Sequence, residues 1–174
     1  TRMYNCSASY ADRIEFFKGV MYVSLCGAGV GYSIHPAHVS QLPKVGPKFE
    51  GNVIPTIVVE DSIEGWSDAI DALMTAFFYG DAIPRFDLSL IRPKGAPITG
   101  GFKAPGPEPL QKCIDEVTVI MEEARDRQLR PFEVHLIVCT IADAVISGGV
   151  RRSALLCMFD PILDKETLNC KTGN

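Results

Sequence analysis

The stretch IPTIVVEDSIEGWSDAIDALMTAFF, residues 54–78, decides the fold class. Its first six residues are mostly β-branched and predict a buried strand. Residues 61–64, Asp-Ser-Ile-Glu, resemble a capping box, and they predict the start of a helix that runs to residue 78. A strand followed directly by a helix is the repeating unit of α/β proteins, so this stretch predicts an α/β fold.

The segments on either side continue the alternation of helices and strands. Apolar residues at helical or alternating spacing predict helices at 12–25, 110–124 and 134–145, and strands at 30–34, 86–91 and 154–159. Residues 43–51 and 92–107 are rich in proline and glycine, and we expect surface loops there. The chain has no internal repeat, so residues 1–174 are predicted to form a single partial domain.

The composition excludes several classes of protein. With 47% hydrophobic and 22% charged residues among 174, the chain is expected to bury a core rather than to be disordered. Seventeen basic and 21 acidic residues give a net charge of −4, which provides no global basic field, and we expect no direct DNA binding. The apolar runs stop short of the roughly 18 residues that span a bilayer, so a soluble protein without a membrane partner is expected. Both ends read as mid-domain sequence, and we expect an internal fragment of a longer chain.

The six cysteines predict both the compartment and a candidate for chemistry. They form no Cys-x-x-Cys pair, so we expect no metal site, and they are too sparse for a disulfide-stapled secreted module, so a cytoplasmic location is expected. Cys6 and Cys170 each follow an asparagine in a polar setting, where a reaction partner can reach a thiol. The other four fall in apolar patterns and are predicted to be small buried hydrophobes: Cys26, Cys113, Cys139 and Cys157.

The glycine cluster at residues 27–31 has two open interpretations. A dinucleotide-binding motif needs a strand before the glycines and a helix after them, and here the predicted order is reversed. The cluster either stops a helix and allows close strand packing, or lets main-chain N–H groups approach a ribose or phosphate.

Two further segments carry positive charge in a loop. In residues 147–154, Arg151 and Arg152 either bind phosphate through their guanidinium groups or are solvated charges at the start of a strand. In residues 92–103, three basic side chains either build a triphosphate pocket or lie on a proline-rich surface lid. These side chains are Arg92, Lys94 and Lys103.

The histidines and the single tryptophan are assigned structural roles. His35 and His38 flank Pro36 in a predicted loop and His135 lies on a predicted helix, so ordinary loop and surface histidines are expected rather than metal ligands. Trp66 lies in an amphipathic helix and is predicted to be part of the core.

Four motifs, taken in order, carry a resemblance to a known family. They are Asn5-Cys6, the glycine turn 27–31 that enters Tyr-Ser-Ile, the loop 91–98 (IRPKGAPI) and the loop 147–154 (SGGVRRSA). Their order and rough spacing resemble the large catalytic chain of ribonucleotide reductases over nearly the whole sequence. The form of the two loops looks most like class II, the adenosylcobalamin-dependent ribonucleoside-triphosphate reductases.

The resemblance implies a fold and a set of active-site residues. The fold would be a ten-stranded α/β barrel of the ribonucleotide reductase type, of which this chain forms the first half. Cys6 would be one thiol of the pair that reduces the 2′ carbon of a ribonucleoside triphosphate substrate. The family's radical cysteine lies outside this sequence, so the chain alone is expected to be inactive. The residues that would contact substrate are Asn5, Ala28, Gly29, Ser147, Gly148, Gly149 and Arg151.

The resemblance also implies regulation and partners. A deoxynucleoside triphosphate or ATP effector would bind Arg92, Ile98, Thr99 and Lys103. The full-length enzyme would use adenosylcobalamin as its cofactor and thioredoxin or a similar dithiol as its reductant. Two alternatives stay open from the sequence: a class I ribonucleoside-diphosphate reductase large chain, and a nonenzymatic nucleotide-sensing α/β domain.

Overall fold

The structure is a computed structural model that describes residues 5–98, 102–146 and 154–170. Strands and helices alternate in an α/β arrangement, as the sequence predicts. In chain order the elements are β1 (Cys6–Tyr10), α1 (Glu15–Leu25), β2 (Gly29–Ser33), α2 (Pro36–Val39), β3 (Thr56–Val58), α3 (Ile63–Tyr79), β4 (Arg85–Asp87), β5 (Pro97–Ile98), β6 (Phe102–Lys103), α4 (Glu108–Glu123), α5 (Pro131–Ile146), β7 (Leu155–Met158) and α6 (Lys165–Asn169).

The central sheet is parallel and has the strand order β1-β2-β7. Cys6 pairs with Gly29 at one end of the register, and Tyr10 pairs with Ser33 at the other. Strand β7 lies on the far side of β2, with Tyr32 opposite Cys157. Side chains alternate between the two faces of each strand, so paired residues point to the same face.

Helices cover one face of this sheet. Phe16 of α1 packs near the Tyr32 ring, with 6.2 Å between the ring centroids. The Tyr32 hydroxyl is hydrogen-bonded to His135 Nδ1 of α5 at 2.7 Å, which ties α5 to the same face. Tyr32 and Phe17 are fully buried, and burial of such large side chains is a main source of the stability of this layer.

Helices α4 and α5 confirm the helices predicted from apolar periodicity. Their ends are joined by an ion network around one buried carboxylate. Pro131 begins α5, where its fixed φ favours a helix start. The Glu133 side chain is only 4% exposed and contacts Arg127 at 2.7 Å and Arg130 at 2.9 Å. Burial opposes ionisation of Glu133, but hydrogen bonds from the two arginines outweigh it and lower its pKa to about 2.

The stretch that predicted the fold class is confirmed as strand and helix, with two corrections. Strand β3 is not buried, because it lies in a two-stranded sheet with β4 and leaves Val58 52% exposed. The residue that caps α3 is Ser62, whose hydroxyl accepts a hydrogen bond from the Gly65 N–H at 2.9 Å. Asp61 therefore does not cap the helix, and its carboxylate is used elsewhere.

Other predictions need correction. The strand expected at 86–91 is limited to β4, and the loop expected at 92–107 contains the antiparallel pair β5–β6. Cys26 is exposed because it follows the last turn of α1. Cys139 is exposed on α5, and the nearly continuous apolar sequence of this helix does not indicate which of its sides faces solvent. The short helices α2 and α6 were not predicted.

Within the described residues, no helix is both long and apolar enough to cross a membrane. Trp66 is 7% exposed and belongs to the core, as predicted.

Candidate active site

The candidate site lies on the face of the central sheet that the elements of the described residues leave open. Cys6 is exposed at the start of β1 and lies in register with Gly29 of β2. The Gly29 N–H donates a hydrogen bond to the Asn5 carbonyl at 2.9 Å, and the Ser7 hydroxyl donates to the Gly29 carbonyl at 3.2 Å. The backbone around the thiol is therefore held by the neighbouring strand.

The open face continues from Cys6 along all three strands. Tyr10 is 54% exposed, and on β7 Leu156 is 65% and Met158 43% exposed. Parallel sheets are normally covered on both faces, so large apolar side chains exposed on this one are unusual. By register and alternation, the residues of the open face are Cys6, Ala8, Tyr10, Gly29, Gly31, Ser33, Leu156 and Met158.

The glycine cluster has two structural roles. Gly27 has φ +82° and ends α1, which confirms the helix-stop interpretation for that residue. Gly29 and Gly31 have no positive φ, and a Cβ added at either would meet no atom of the described residues closer than 3.4 Å. Since neither backbone geometry nor packing requires glycine at these two positions, their effect is to leave space above the sheet.

The thiols of the chain lie in different environments. Burial raises the pKa of the Cys113 thiol to about 12 and that of Cys157, on the helix-covered face of β7, to about 11. A protonated thiol is a poor nucleophile, so these two cysteines are unsuited to thiol chemistry at neutral pH. Cys6 and Cys170 are both exposed, and Cys6 is the one in register with the glycine strand.

Part of the predicted substrate site lies outside the described residues. This applies to Ser147, Gly148, Gly149 and Arg151. Ala154, the first described residue after them, lies beside the glycine strand, where the Val30 N–H donates to its carbonyl at 2.8 Å. Ala28, another predicted contact, is half-buried at the turn into β2, and its N–H donates to the Val23 carbonyl at 3.2 Å.

The predicted effector residues lie around the β5–β6 pair. The Gly95 N–H donates to the Ala104 carbonyl at 2.9 Å, and the Ala104 N–H donates to the Ala96 carbonyl at 2.7 Å, which closes the hairpin. Lys103 is exposed and pairs with Pro97, next to the pair that Ile98 forms with Phe102. Thr99 lies outside the described residues.

Arg92 has a partner that the sequence did not indicate. Its Nε donates a hydrogen bond to Oδ2 of Asp61, 31 residues earlier in the chain. Asp61 follows β3 and Arg92 follows β4, and these strands are parallel neighbours, so the pair meets at their carboxyl ends. Contacts of this kind depend on strand pairing and carry no local sequence signal.

A second polar group at the carboxyl end of the central sheet was also missed. His38 Nδ1 lies 2.9 Å from the Ser33 hydroxyl, and the His38 and Tyr10 rings are 4.4 Å apart. His35 Nδ1 accepts a hydrogen bond from the Ala37 N–H and so caps α2, while His35 Nε2 lies 3.6 Å from Asp160. Among the described residues, no group of three or more potential ligands is placed to hold a metal ion.

The fold and the site together define an α/β protein that presents a thiol on an open parallel sheet. No family model matches the chain. It is 30% identical over 173 residues to an adenosylcobalamin-dependent ribonucleoside-triphosphate reductase of Levilactobacillus brevis, with 76% of this chain and 23% of the relative covered. A relative of the same name from Euglena gracilis is 29% identical, with 92% of this chain and 22% of the relative covered.

The structural comparison agrees with the sequence comparison. A crystal structure of a B12-dependent (class II) ribonucleotide reductase superposes with a TM-score of 0.75 at 25% identity, covering 92% of this chain and 26% of that one. The chain belongs to the ribonucleotide reductase family, and its relatives are of the adenosylcobalamin-dependent class. It spans about a fifth of the length of the curated relatives it matches.

Proposed function

We propose that this chain is part of the catalytic chain of a ribonucleotide reductase that converts ribonucleoside triphosphates to 2′-deoxyribonucleotides for DNA synthesis. Family membership supports the reaction, and the exposed position of Cys6 on the open sheet face supports a role for this thiol. The single observation that carries the proposal is the register of Cys6 with Gly29, which sets an exposed thiol beside a strand position that has no side chain.

In the proposed reaction, Cys6 is one of two thiols that supply two electrons. The 2′ C–O bond of the substrate is broken and a C–H bond takes its place, while the oxygen leaves as water. The two thiols lose their hydrogens and form a disulfide, which balances the reaction, and thioredoxin or a similar dithiol then restores them by thiol exchange. The partner thiol of Cys6 is proposed to lie in another part of the full-length protein.

The substrate is proposed to lie along the open face beside the thiol. The missing side chains at Gly29 and Gly31 support this, because a ribose or phosphate gains van der Waals contact with backbone there. Asn5 and Ala28 flank the same end of the sheet and are proposed to contact substrate with Gly29. The remaining proposed contacts are Ser147, Gly148, Gly149 and Arg151, and the guanidinium of Arg151 is suited to a phosphate or a base edge.

The open face also supports the proposed architecture. A parallel sheet with one uncovered apolar face needs further protein over that face to be stable. A closed ten-stranded barrel, of which residues 1–174 form the first half as a single partial domain, would provide that cover. A cytoplasmic location is part of the proposal and rests on the pattern of cysteines in the sequence.

Adenosylcobalamin is the cofactor that the names of the relatives state for those proteins. The described neighbours of Cys6 on the open face are Ala8, Gly29 and Gly31, and they give a corrin, with its many amide groups, no polar side chain to bind. We therefore propose that the full-length protein holds adenosylcobalamin outside this region, and no step is assigned to it here.

Regulation is proposed at the hairpin. A deoxynucleoside triphosphate or ATP would be held by Arg92, Ile98, Thr99 and Lys103. The exposure of Arg92 and Lys103 supports this, since both cations are accessible to phosphate.

The test is Cys6→Ser in the full-length protein, supplied with ribonucleoside triphosphate, adenosylcobalamin and a dithiol. Serine cannot form a disulfide, so multiple turnover is expected to fall about a thousandfold or more. Cys26→Ser is the matched control, since Cys26 is also exposed but caps α1, and it is expected to keep wild-type turnover. Turnover by Cys6→Ser above a tenth of the wild-type rate would refute the proposed role.

A further inference from the structure

The contact between Asp61 and Arg92 has a consequence for anion binding. Asp61 Oδ2 accepts from Nε, which lies on one side of the guanidinium group. Within the described part of the chain, Asp61 is the only hydrogen-bonding partner of Arg92. The edge formed by Nη1 and Nη2 is therefore left for a ligand, and this edge binds phosphate oxygens in a bidentate manner.

The backbone at Asp61 is held in place by the turn that leads into α3. The Ser62 N–H donates to the Glu60 carbonyl at 2.9 Å, and the Val59 N–H donates to the Asp87 carbonyl at 2.9 Å. A Cβ at Gly65 would lie 2.3 Å from the Glu60 carbonyl oxygen, so the turn is tight and Gly65 is needed for it. Asp61 is therefore a short side chain on a fixed backbone, whereas Arg92 is a long side chain that is 43% exposed.

We infer that Asp61 is a positioning residue: it fixes the guanidinium of Arg92 so that the Nη1–Nη2 edge faces an anionic ligand of the hairpin β5–β6. The ligand class is a nucleoside triphosphate, recognised through its phosphates. This inference rests on the proposed effector site, and it adds a residue that neither motif nor spacing indicates. If the Arg92 side chain is already held in one rotamer, less side-chain entropy is lost when the ligand binds, and the affinity is higher.

The sign of the expected effect separates positioning from simple electrostatics. Asp61 is an anion close to the proposed phosphate site, so removing its charge lowers repulsion and by itself strengthens anion binding. Loss of positioning weakens binding instead. A weaker complex after Asp61→Asn is therefore opposite to the electrostatic expectation.

The experiment measures equilibrium binding of each of the four deoxynucleoside triphosphates, and of inorganic triphosphate, to the full-length protein at fixed ionic strength. Asp61→Asn and Arg92→Lys are each expected to weaken binding roughly tenfold. Because the two residues act together, the double variant is expected to bind no more weakly than the single variant with the lower affinity. Asp61→Glu, which keeps a carboxylate, is expected to restore affinity to within about threefold of wild type. If Asp61→Asn fails to fold, Asp61→Ser takes its place, since it also removes the carboxylate.

Glu60→Gln is the matched control, because Glu60 is the exposed neighbour of Asp61 and its side chain has no partner among the described residues. It is expected to bind as tightly as wild type or slightly more tightly. If Asp61→Asn binds as well as wild type while Arg92→Lys is weakened, the positioning role is wrong and the effector site stands. If wild type binds none of the probes, or Arg92→Lys binds them all unchanged, the proposed effector site fails and the inference fails with it.

Discussion

The two faces of the central sheet differ in what covers them. Tyr10 and Tyr32 lie on neighbouring strands, yet Tyr10 is 54% exposed on the open face and Tyr32 is fully buried under α1 and α5. Burial raises the pKa of the Tyr32 hydroxyl well above its usual range, whereas the open face carries an exposed thiol and two glycines. The covered face thus provides stability, and the open face is available for chemistry.

The largest expected effect comes from the covered face. Tyr32→Ala removes a fully buried ring and its hydrogen bond to His135, and is expected to cost about 4 kcal/mol of unfolding free energy. Gly31→Ala is the matched change on the open face, and it is expected to alter stability by less than about 1 kcal/mol because a Cβ fits there. Denaturant unfolding followed by Trp66 fluorescence measures both. Equal destabilisation by the two substitutions would contradict the division between the faces.

A somewhat smaller effect is expected from the ion network at the start of α5. Glu133→Gln leaves two arginines without their buried partner and is expected to cost about 3 kcal/mol. Glu166→Gln is the control, since Glu166 meets Arg130 in an exposed ion pair and should cost less than about 1 kcal/mol.

The same network predicts a dependence of stability on pH. The pKa of Glu133 is lowered in the folded state to about 2 from 4.5, so its contribution is complete above about pH 4.5 and is lost as the pH falls towards 2. The unfolding free energy of wild type should therefore decrease through this range more steeply than that of Glu133→Gln. Parallel pH profiles would show that the carboxylate is not held by the arginines.

Local periodicity was sufficient to predict the packed parts of the fold. Helix α4 alternates apolar and charged residues with a helical repeat, so its buried side was readable from sequence. The β-branched residues of β3 predicted a buried strand. Residue type alone does not reveal that β3 pairs with a single strand within the described part of the chain. The proline and glycine residues of 92–107 indicated a loop. The hairpin in this segment was not predicted, because its strand pairing depends on residues on both sides of the turn.

The candidate site was less accessible to sequence reasoning than the fold. An asparagine before Cys6 indicated an exposed thiol, and the structure confirms the exposure, but the role of that thiol came from the family resemblance and stays a prediction. The Asp61–Arg92 pair depends on two parallel strands that bring residues 31 positions apart together, and no local pattern encodes it.

Substrate-driven oxidation of Cys6 is the most direct measurement of the central claim. Reduced full-length protein is given ribonucleoside triphosphate and adenosylcobalamin without a dithiol, then quenched, alkylated and mapped by mass spectrometry. The account predicts that Cys6 passes into a disulfide in proportion to the deoxynucleotide formed, while Cys113 and Cys157 stay as thiols. Formation of deoxynucleotide with Cys6 still fully open to alkylation would contradict it.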